Sequence, residues 1–175
     1  RKNERMNFPD RFEVLIITLS DRAFKGEYKV LRGPEIRDKL SEFFTAQKWK
    51  SDIRTALIPD DAGTLQKMIT ESSEAENIIF TTGGTGIGPR DITIEAVKPL
   101  LTKEIPGIME FIRIKYGADK PNALLSRGVA GITGKSLIYT LPGSVRAVDE
   151  YMTEILKTLK HTVLMQYGID SHEKH

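Results

Sequence analysis

Ile78-Ile79-Phe80-Thr81-Thr82-Gly83-Gly84-Thr85-Gly86-Ile87-Gly88-Pro89-Arg90-Asp91-Ile92-Thr93 runs from a strand through a glycine-rich turn to the start of a helix. Three apolar residues, two of them β-branched, then two threonines, read as a strand. Gly83, Gly84, Gly86 and Gly88 let the backbone turn sharply and let a ligand approach it closely. A turn of this kind at a strand end presents successive N–H groups as an anion-binding concavity. Thr93 is expected to cap a short helix from Ile94 to about Lys98, with Glu95 in its first turn. Arg90 and Asp91 fall at the rim, where a phosphate or a metal would lie. A bare strand-to-helix connection needs neither four glycines nor the Arg-Asp pair. A P-loop is excluded, because no Lys-Ser or Lys-Thr follows the glycines. A dinucleotide fingerprint is excluded too, because Pro89 stands at the third glycine position counted from Gly84.

Upstream, residues 12–19 read as a buried strand through Val14, Leu15, Ile16 and Ile17, ending at Ser20-Asp21. Residues 22–33 form a long polar connection, a length that often carries function. Pro34 fits the first position of a helix to about Lys48, with Ile36, Leu40, Phe43 and Phe44 as its stripe. Residues 52–58 form a second strand. Pro59-Asp60-Asp61 terminates it, and one of the aspartates can cap the helix of Leu65, Met68 and Ile69. With the strand at 78–82 this is β-α-β-α-β, a parallel sheet with right-handed crossovers.

Downstream, Pro106-Gly107 opens a helix carrying Ile108, Phe111, Ile112 and Tyr116, and Gly117 ends it. Residues 122–126 make one more helical turn. Residues 129–133 and 136–141 flank Gly134-Lys135 as a hairpin. Ser144 caps a last long helix whose stripe runs from Val145 through Val148, Met152, Ile155 and Leu159 to Tyr167.

The chain's 175 residues suit one domain with a real core. The expected division is a flexible arm at 1–11, the domain at 12–168 and a polar tail at 169–175. Lys+Arg is 26 against 24 Asp+Glu, too balanced for a dedicated nucleic-acid binder. No apolar run is long enough to span a membrane. Cysteine is absent, so disulfides and thiolate metal sites are excluded. No secretory leader is recognisable, so a cytoplasmic protein is expected.

Four polar clusters follow strands: Ser20-Asp21, Asp60-Asp61, Thr82 to Asp91, and Pro142-Gly143-Ser144. In an open α/β sheet, ligands bind beyond the carboxyl ends of the strands. A phosphate cradle flanked by aspartates suggests Mg²⁺ and a nucleotide. Plainer roles stay open for each aspartate: helix cap for Asp60 or Asp61, partner of Arg22 or of a loop N–H for Asp21. His172 and His175 lie in the tail, and His161 lies on the last helix, so a Ser-His-Asp triad is not supported. Carboxylates, a metal and backbone amides suit phosphoryl or nucleotidyl transfer, which relies on positioning and charge neutralisation.

Thr81-Thr82-Gly83-Gly84-Thr85-Gly86 with Arg90-Asp91, preceded by Ile58-Pro59-Asp60-Asp61, resembles the MogA/MoaB molybdenum-cofactor biosynthesis family, which includes the N-terminal domain of gephyrin. Thr18-Leu19-Ser20-Asp21, Pro106-Gly107 with Glu110, Leu125-Ser126-Arg127 and Leu141-Pro142-Gly143 extend the resemblance over about residues 12–168. It implies a three-layer α/β/α sandwich, its sheet mostly parallel with one antiparallel strand, and a homotrimer. It implies molybdopterin adenylyltransfer: the molybdopterin phosphate attacks the α-phosphorus of MgATP, and pyrophosphate leaves. Asp60 and Asp91 match the family's two essential aspartates and would hold Mg²⁺. Gly83, Gly84, Thr85 and Gly86 would cradle phosphate. Ser126 and Pro142-Gly143-Ser144 would lie in the pterin-phosphate region, while Ser20, Asp21, Thr82 and Arg90 complete the expected substrate contacts. Hand-over of product to a molybdenum-insertion protein would follow. Glu110 matches without an assignable role. Ile94 stands where many relatives carry proline, and Gly128 where some carry a more polar residue. Two other readings remain: a non-catalytic molybdopterin-binding or scaffold protein of the same fold, and a nucleotide-pyrophosphate hydrolase.

Overall fold

The structure, a computed structural model, describes residues 7–27, 29 and 31–169. In chain order they form β1 (Arg11–Leu19), α1 (Asp21–Phe24), α2 (Arg32–Gln47), β2 (Lys50–Ile58), α3 (Ala62–Ser72), β3 (Ile78–Thr82), α4 (Thr93–Val97), β4 (Lys103–Glu104), α5 (Pro106–Gly117), β5 (Ala130–Thr133), β6 (Ser136–Leu141) and α6 (Val145–Gln166). Single 3-10 turns cover Lys98–Leu100 and Pro121–Leu125.

The six strands form one sheet in the order β2-β1-β3-β6-β5-β4. β2, β1, β3 and β6 are parallel, and β5 alone runs against both of its neighbours. The architecture expected from the resemblance is therefore present. Strand side chains alternate between faces. Phe12, Val14 and Ile16 pack with Phe80 and Tyr139 against α2, α5 and α6. Leu15, Ile17 and Leu19 pack with Ile79 and Ile138 against α3 and α4. Both faces are covered, which is why β1 and β3 read as unbroken apolar runs. Each fully buried Ile or Leu adds roughly 1.5–3 kcal/mol relative to exposure.

Several expectations need correction. Thr93 is not the cap of α4. Ile92 holds that position without a side-chain bond, and the Thr93 hydroxyl instead donates to Gly83 O at 2.8 Å. α2 starts at Arg32, so Pro34 is its third residue. β2 starts at Lys50 rather than Asp52. The connection expected after Asp21 begins with the single turn of α1, capped by Ser20. β4 was not expected; it adds a short edge to β5.

Residues 1–6 of the expected arm, and 170–175 of the expected tail with His172 and His175, lie outside the described residues. Phe8 packs edge-on against Phe12, Trp49 and Tyr167. Among the described residues, no helix is long and apolar enough to cross a membrane.

Candidate active site

The chain leaves β1 for β2 on one side and returns to β3 on the other, so the crevice beyond the carboxyl ends of β1 and β3 is the switch point of the sheet. Ser20-Asp21 follows β1, Pro59-Asp60 follows β2, the glycine-rich loop follows β3, and Pro142-Gly143-Ser144 follows β6.

Asp21 and Asp60 are locked to each other. Asp60 Oδ2 accepts from Asp21 N at 3.1 Å, and Asp21 Oδ1 accepts from Asp60 N at 2.8 Å. Ser20 N donates to Ile58 O at 3.0 Å, joining the two strand ends. Asp61 turns away and caps α3, accepting from Thr64 N at 2.8 Å and Thr64 Oγ1 at 2.7 Å. Those bonds hold its carboxyl below the usual range. The choice between Asp60 and Asp61 as helix cap thus falls to Asp61. Arg22 pairs with Glu27.

Burial pushes the Asp60 carboxyl above the usual carboxylate range. The Asp21 N–H and the Arg32 guanidinium oppose that rise, while the charges of Asp21 and Asp91 add to it. Asp91 is therefore within electrostatic reach of Asp60. Arg90, mostly exposed, stands 3.8 Å from Asp21 Oδ2. No cluster of three or more His, Cys, Asp or Glu suited to a metal occurs among the described residues. Two carboxylates within electrostatic reach of each other nevertheless fit a hard divalent cation completed by substrate phosphates.

The glycine-rich loop is polarised. Gly83 O accepts from Thr93 Oγ1, Gly84 O from Thr93 N, Thr85 O from Arg127 N, and Gly86 O from Arg127 Nε. Four successive carbonyls are thus satisfied by the protein. The N–H groups of Gly84, Thr85, Gly86 and Ile87 have no hydrogen-bond partner among the described residues. The peptides of the loop are trans, so each of these N–H groups points opposite to a tethered carbonyl. Gly83 and Gly84 have φ of 102° and 70°, which favours glycine at both. Asp91 Oδ2 accepts from Gly88 N at 2.8 Å and closes the loop.

Other expected residues serve partly as structure. Thr82 is buried, and its hydroxyl donates to Pro142 O at 2.7 Å. Ser20 caps α1 and Ser144 caps α6. Ser126 Oγ donates to Thr85 Oγ1 at 3.2 Å, which brings the segment before β5 to the loop. A cleft of about 290 Å³ opens beside it, lined by Tyr116, Lys120, Ser126, Pro142, Ser144 and Tyr151 among others. Glu110 lies instead in a neighbouring cleft with Arg113 and Arg127.

One residue of the site had no role in the sequence reading. Arg32 is buried, donates from Nη2 to Leu19 O at 3.1 Å, and lies under both Gly83 and Gly143. Its only signal in the sequence is a cation beside Gly33-Pro34.

Residues 15–161 match the family described as "Probable molybdopterin binding domain". Molybdenum cofactor biosynthesis protein B of Staphylococcus carnosus is 39% identical over 168 residues, covering 93% of this chain and 96% of the relative. Molybdopterin adenylyltransferase of Helicobacter pylori is 33% identical over 155 residues, covering 87% and 86%. The crystal structure of the molybdopterin biosynthesis enzyme MoaB from Thermus thermophilus superposes with a TM-score of 0.78 at 35% identity, over 90% of this chain and 97% of that one. The chain spans only 21% of gephyrin from Dictyostelium discoideum and 24% of cinnamon from Drosophila melanogaster. The matched span takes in the glycine-rich loop, both aspartates and the turn after β6, and the chain therefore belongs to the molybdopterin-binding domain family of molybdenum-cofactor biosynthesis.

Proposed function

We propose that the chain is a molybdopterin adenylyltransferase acting in molybdenum cofactor biosynthesis. An oxygen of the molybdopterin phosphate forms a bond to the α-phosphorus of ATP. The bond from that phosphorus to the β-phosphate oxygen breaks, and pyrophosphate leaves. The observation that carries this reading is the row of N–H groups from Gly84 to Ile87, none with a partner among the described residues, beside Asp91 and within that carboxylate's electrostatic reach of Asp60. Donors fixed before substrate arrives need no reorganisation as charge develops, which is the main resource of this chemistry.

In this reading the loop amides hold the triphosphate, and Arg90 guards the rim. Ser126 and the turn Pro142-Gly143-Ser144 face the cleft that takes the pterin and its phosphate. Asp60 and Asp91 would hold Mg²⁺, which when bound supplies charge neutralisation at the phosphates. Asp21 keeps Asp60 in place through their paired N–H···carboxylate bonds. Residues 12–168 are the functional unit, acting as a homotrimer in the cytoplasm and passing product to a molybdenum-insertion protein.

Incubation with molybdopterin and MgATP tests the reaction, with adenylyl-molybdopterin and pyrophosphate as readouts. Pyrophosphate released without pterin would point to a hydrolase. Binding of pterin without turnover would point to a scaffold. Light scattering tests the trimer.

A further inference from the structure

We propose that Arg127 is a positioning residue that sets the glycine-rich loop in its phosphate-receiving conformation, an inference that rests on the loop's assignment as the triphosphate cradle.

Arg127 holds the loop at three backbone carbonyls and is itself held by Glu95. Its backbone N donates to Thr85 O at 2.9 Å. Its Nε donates to Gly86 O at 2.8 Å, and its Nη2 donates to Asp91 O at 3.2 Å. The remaining side of the guanidinium pairs with the Glu95 carboxylate, which lies on α4 at the far end of the loop. Four of the five guanidinium N–H groups therefore have an acceptor. The fixed fork of arginine suits this arrangement, and a lysine ammonium could serve only part of it.

Holding a carbonyl on one side of a trans peptide turns the next N–H to the other side. The bonds to Thr85 O and Gly86 O thus aim the N–H groups of Gly86 and Ile87 away from Arg127. Those are two of the four loop donors that have no partner among the described residues. The bond to Asp91 O fixes the backbone that carries the Asp91 carboxylate. Thr93 performs the same task at Gly83 O and Gly84 O, so Arg127 governs the second half of the cradle. Glu95 holds the guanidinium in register, and the pair lowers the Glu95 carboxyl below its usual range. A plain surface ion pair would link Arg127 and Glu95 without touching backbone carbonyls, and would matter little.

The test uses the full chain labelled with ¹⁵N, as wild type, Arg127→Met and Arg127→Lys. The amide signals of Gly84 to Ile87 are recorded without ligand and during titration with pyrophosphate. Arg127→Met is expected to move the ligand-free signals of Gly86 and Ile87 and to leave that of Gly84 nearly in place. Its pyrophosphate affinity should fall roughly tenfold to a hundredfold, the scale set by hydrogen bonds to a charged group. KM for MgATP should rise by a similar factor, with KM for molybdopterin nearly constant. Arg127→Lys should fall between the two. Unmoved ligand-free signals and unchanged pyrophosphate affinity in Arg127→Met would overturn the proposal. Should that variant fail to fold, the same result in Arg127→Lys would overturn it. A wild type whose loop amides ignore pyrophosphate and MgATP would remove the cradle assignment instead, while the ligand-free spectra still decide whether Arg127 sets the loop.

Discussion

Gly86 and Asp91 leave no room between them for a methyl group: a Cβ on Gly86 would stand 2.7 Å from Asp91 Oδ2. The same oxygen accepts from Gly88 N, so the carboxylate cannot swing aside without opening the loop. Gly86 has no positive φ, and its backbone therefore accepts alanine. Gly86→Ala is expected to lower adenylyl transfer about tenfold or more through a displaced Asp91, with the melting temperature close to wild type. Steady-state rates and thermal melts of the pair check this. A variant that melts far lower yet turns over normally per folded molecule would contradict it.

Asp91→Asn separates charge from shape. The amide oxygen can still accept from Gly88 N, so the loop should persist. The charge that would help hold Mg²⁺ is gone. Transfer is expected to fall about 10²–10³, or roughly 3–4 kcal/mol of transition-state stabilisation. Near-wild-type transfer would remove Asp91 from the mechanism.

Asp60 should oppose stability. Its carboxyl titrates above the usual range because burial disfavours the charged form. The folded protein thus binds this proton more tightly than the unfolded chain does. Stability is consequently lost as pH rises through the window from the ordinary aspartate value to the raised one. Asp60→Asn is expected to melt higher than wild type at neutral pH, to lose that advantage below about pH 4, and to be nearly inactive. Melting curves across pH measure the first effect, and transfer assays the second. An advantage that grows towards acid pH would refute this assignment.

Glu154 should show the opposite sign. It is buried on α6 and held down at about 2, first by the Lys115 ammonium at 2.6 Å. Tyr116 OH at 3.0 Å and Lys157 at 3.0 Å also donate to it. Its stabilising effect is complete above the ordinary glutamate value and is lost as pH falls from there to about 2. Glu154→Gln is expected to cost about 1–2 kcal/mol at neutral pH after allowance for solvent screening, with the gap closing in acid. Urea denaturation at several pH values gives the difference directly. Turnover per folded molecule at saturating substrate should change little, because among the described residues Glu154 touches the cleft only through Tyr116.

Much of this arrangement was readable from the chain. The apolar run of β1 announced a buried strand, β3 and β6 were legible as strands, and the turn residues after them marked the site. What escaped the sequence depends on distance through space. Thr93 precedes an apolar helix and has the chemistry of a cap, but Gly83 O, ten residues back, competes for its hydroxyl and wins. Asp60 and Asp61 are identical neighbours, and only the turn after β2 determines which one faces Asp21. Lys103 and Glu104 have exposed side chains and join β5 through backbone bonds alone, so β4 carries no hydrophobic pattern. Arg32 reaches Leu19 O across thirteen residues, and no local periodicity records such a contact.

The reversal of β5 has a kinetic consequence. Because that strand runs backward, the segment before it meets the glycine-rich loop across 41 residues, while Asp21 meets Asp60 across 39 and Thr82 meets Pro142 across 60. Long chain closures of this kind are entropically costly, and the strand pairings beneath them span as much: Leu19 pairs with Ile58 across 39 residues and Ile78 with Leu137 across 59. The strand-end contacts of the site therefore form together with the sheet pairings that carry them rather than in a local nucleus. A nascent chain that stops short of residue 127 lacks the group that holds Thr85 O and Gly86 O, so the glycine-rich loop is fully tethered only once the segment before β5 has been made and docked.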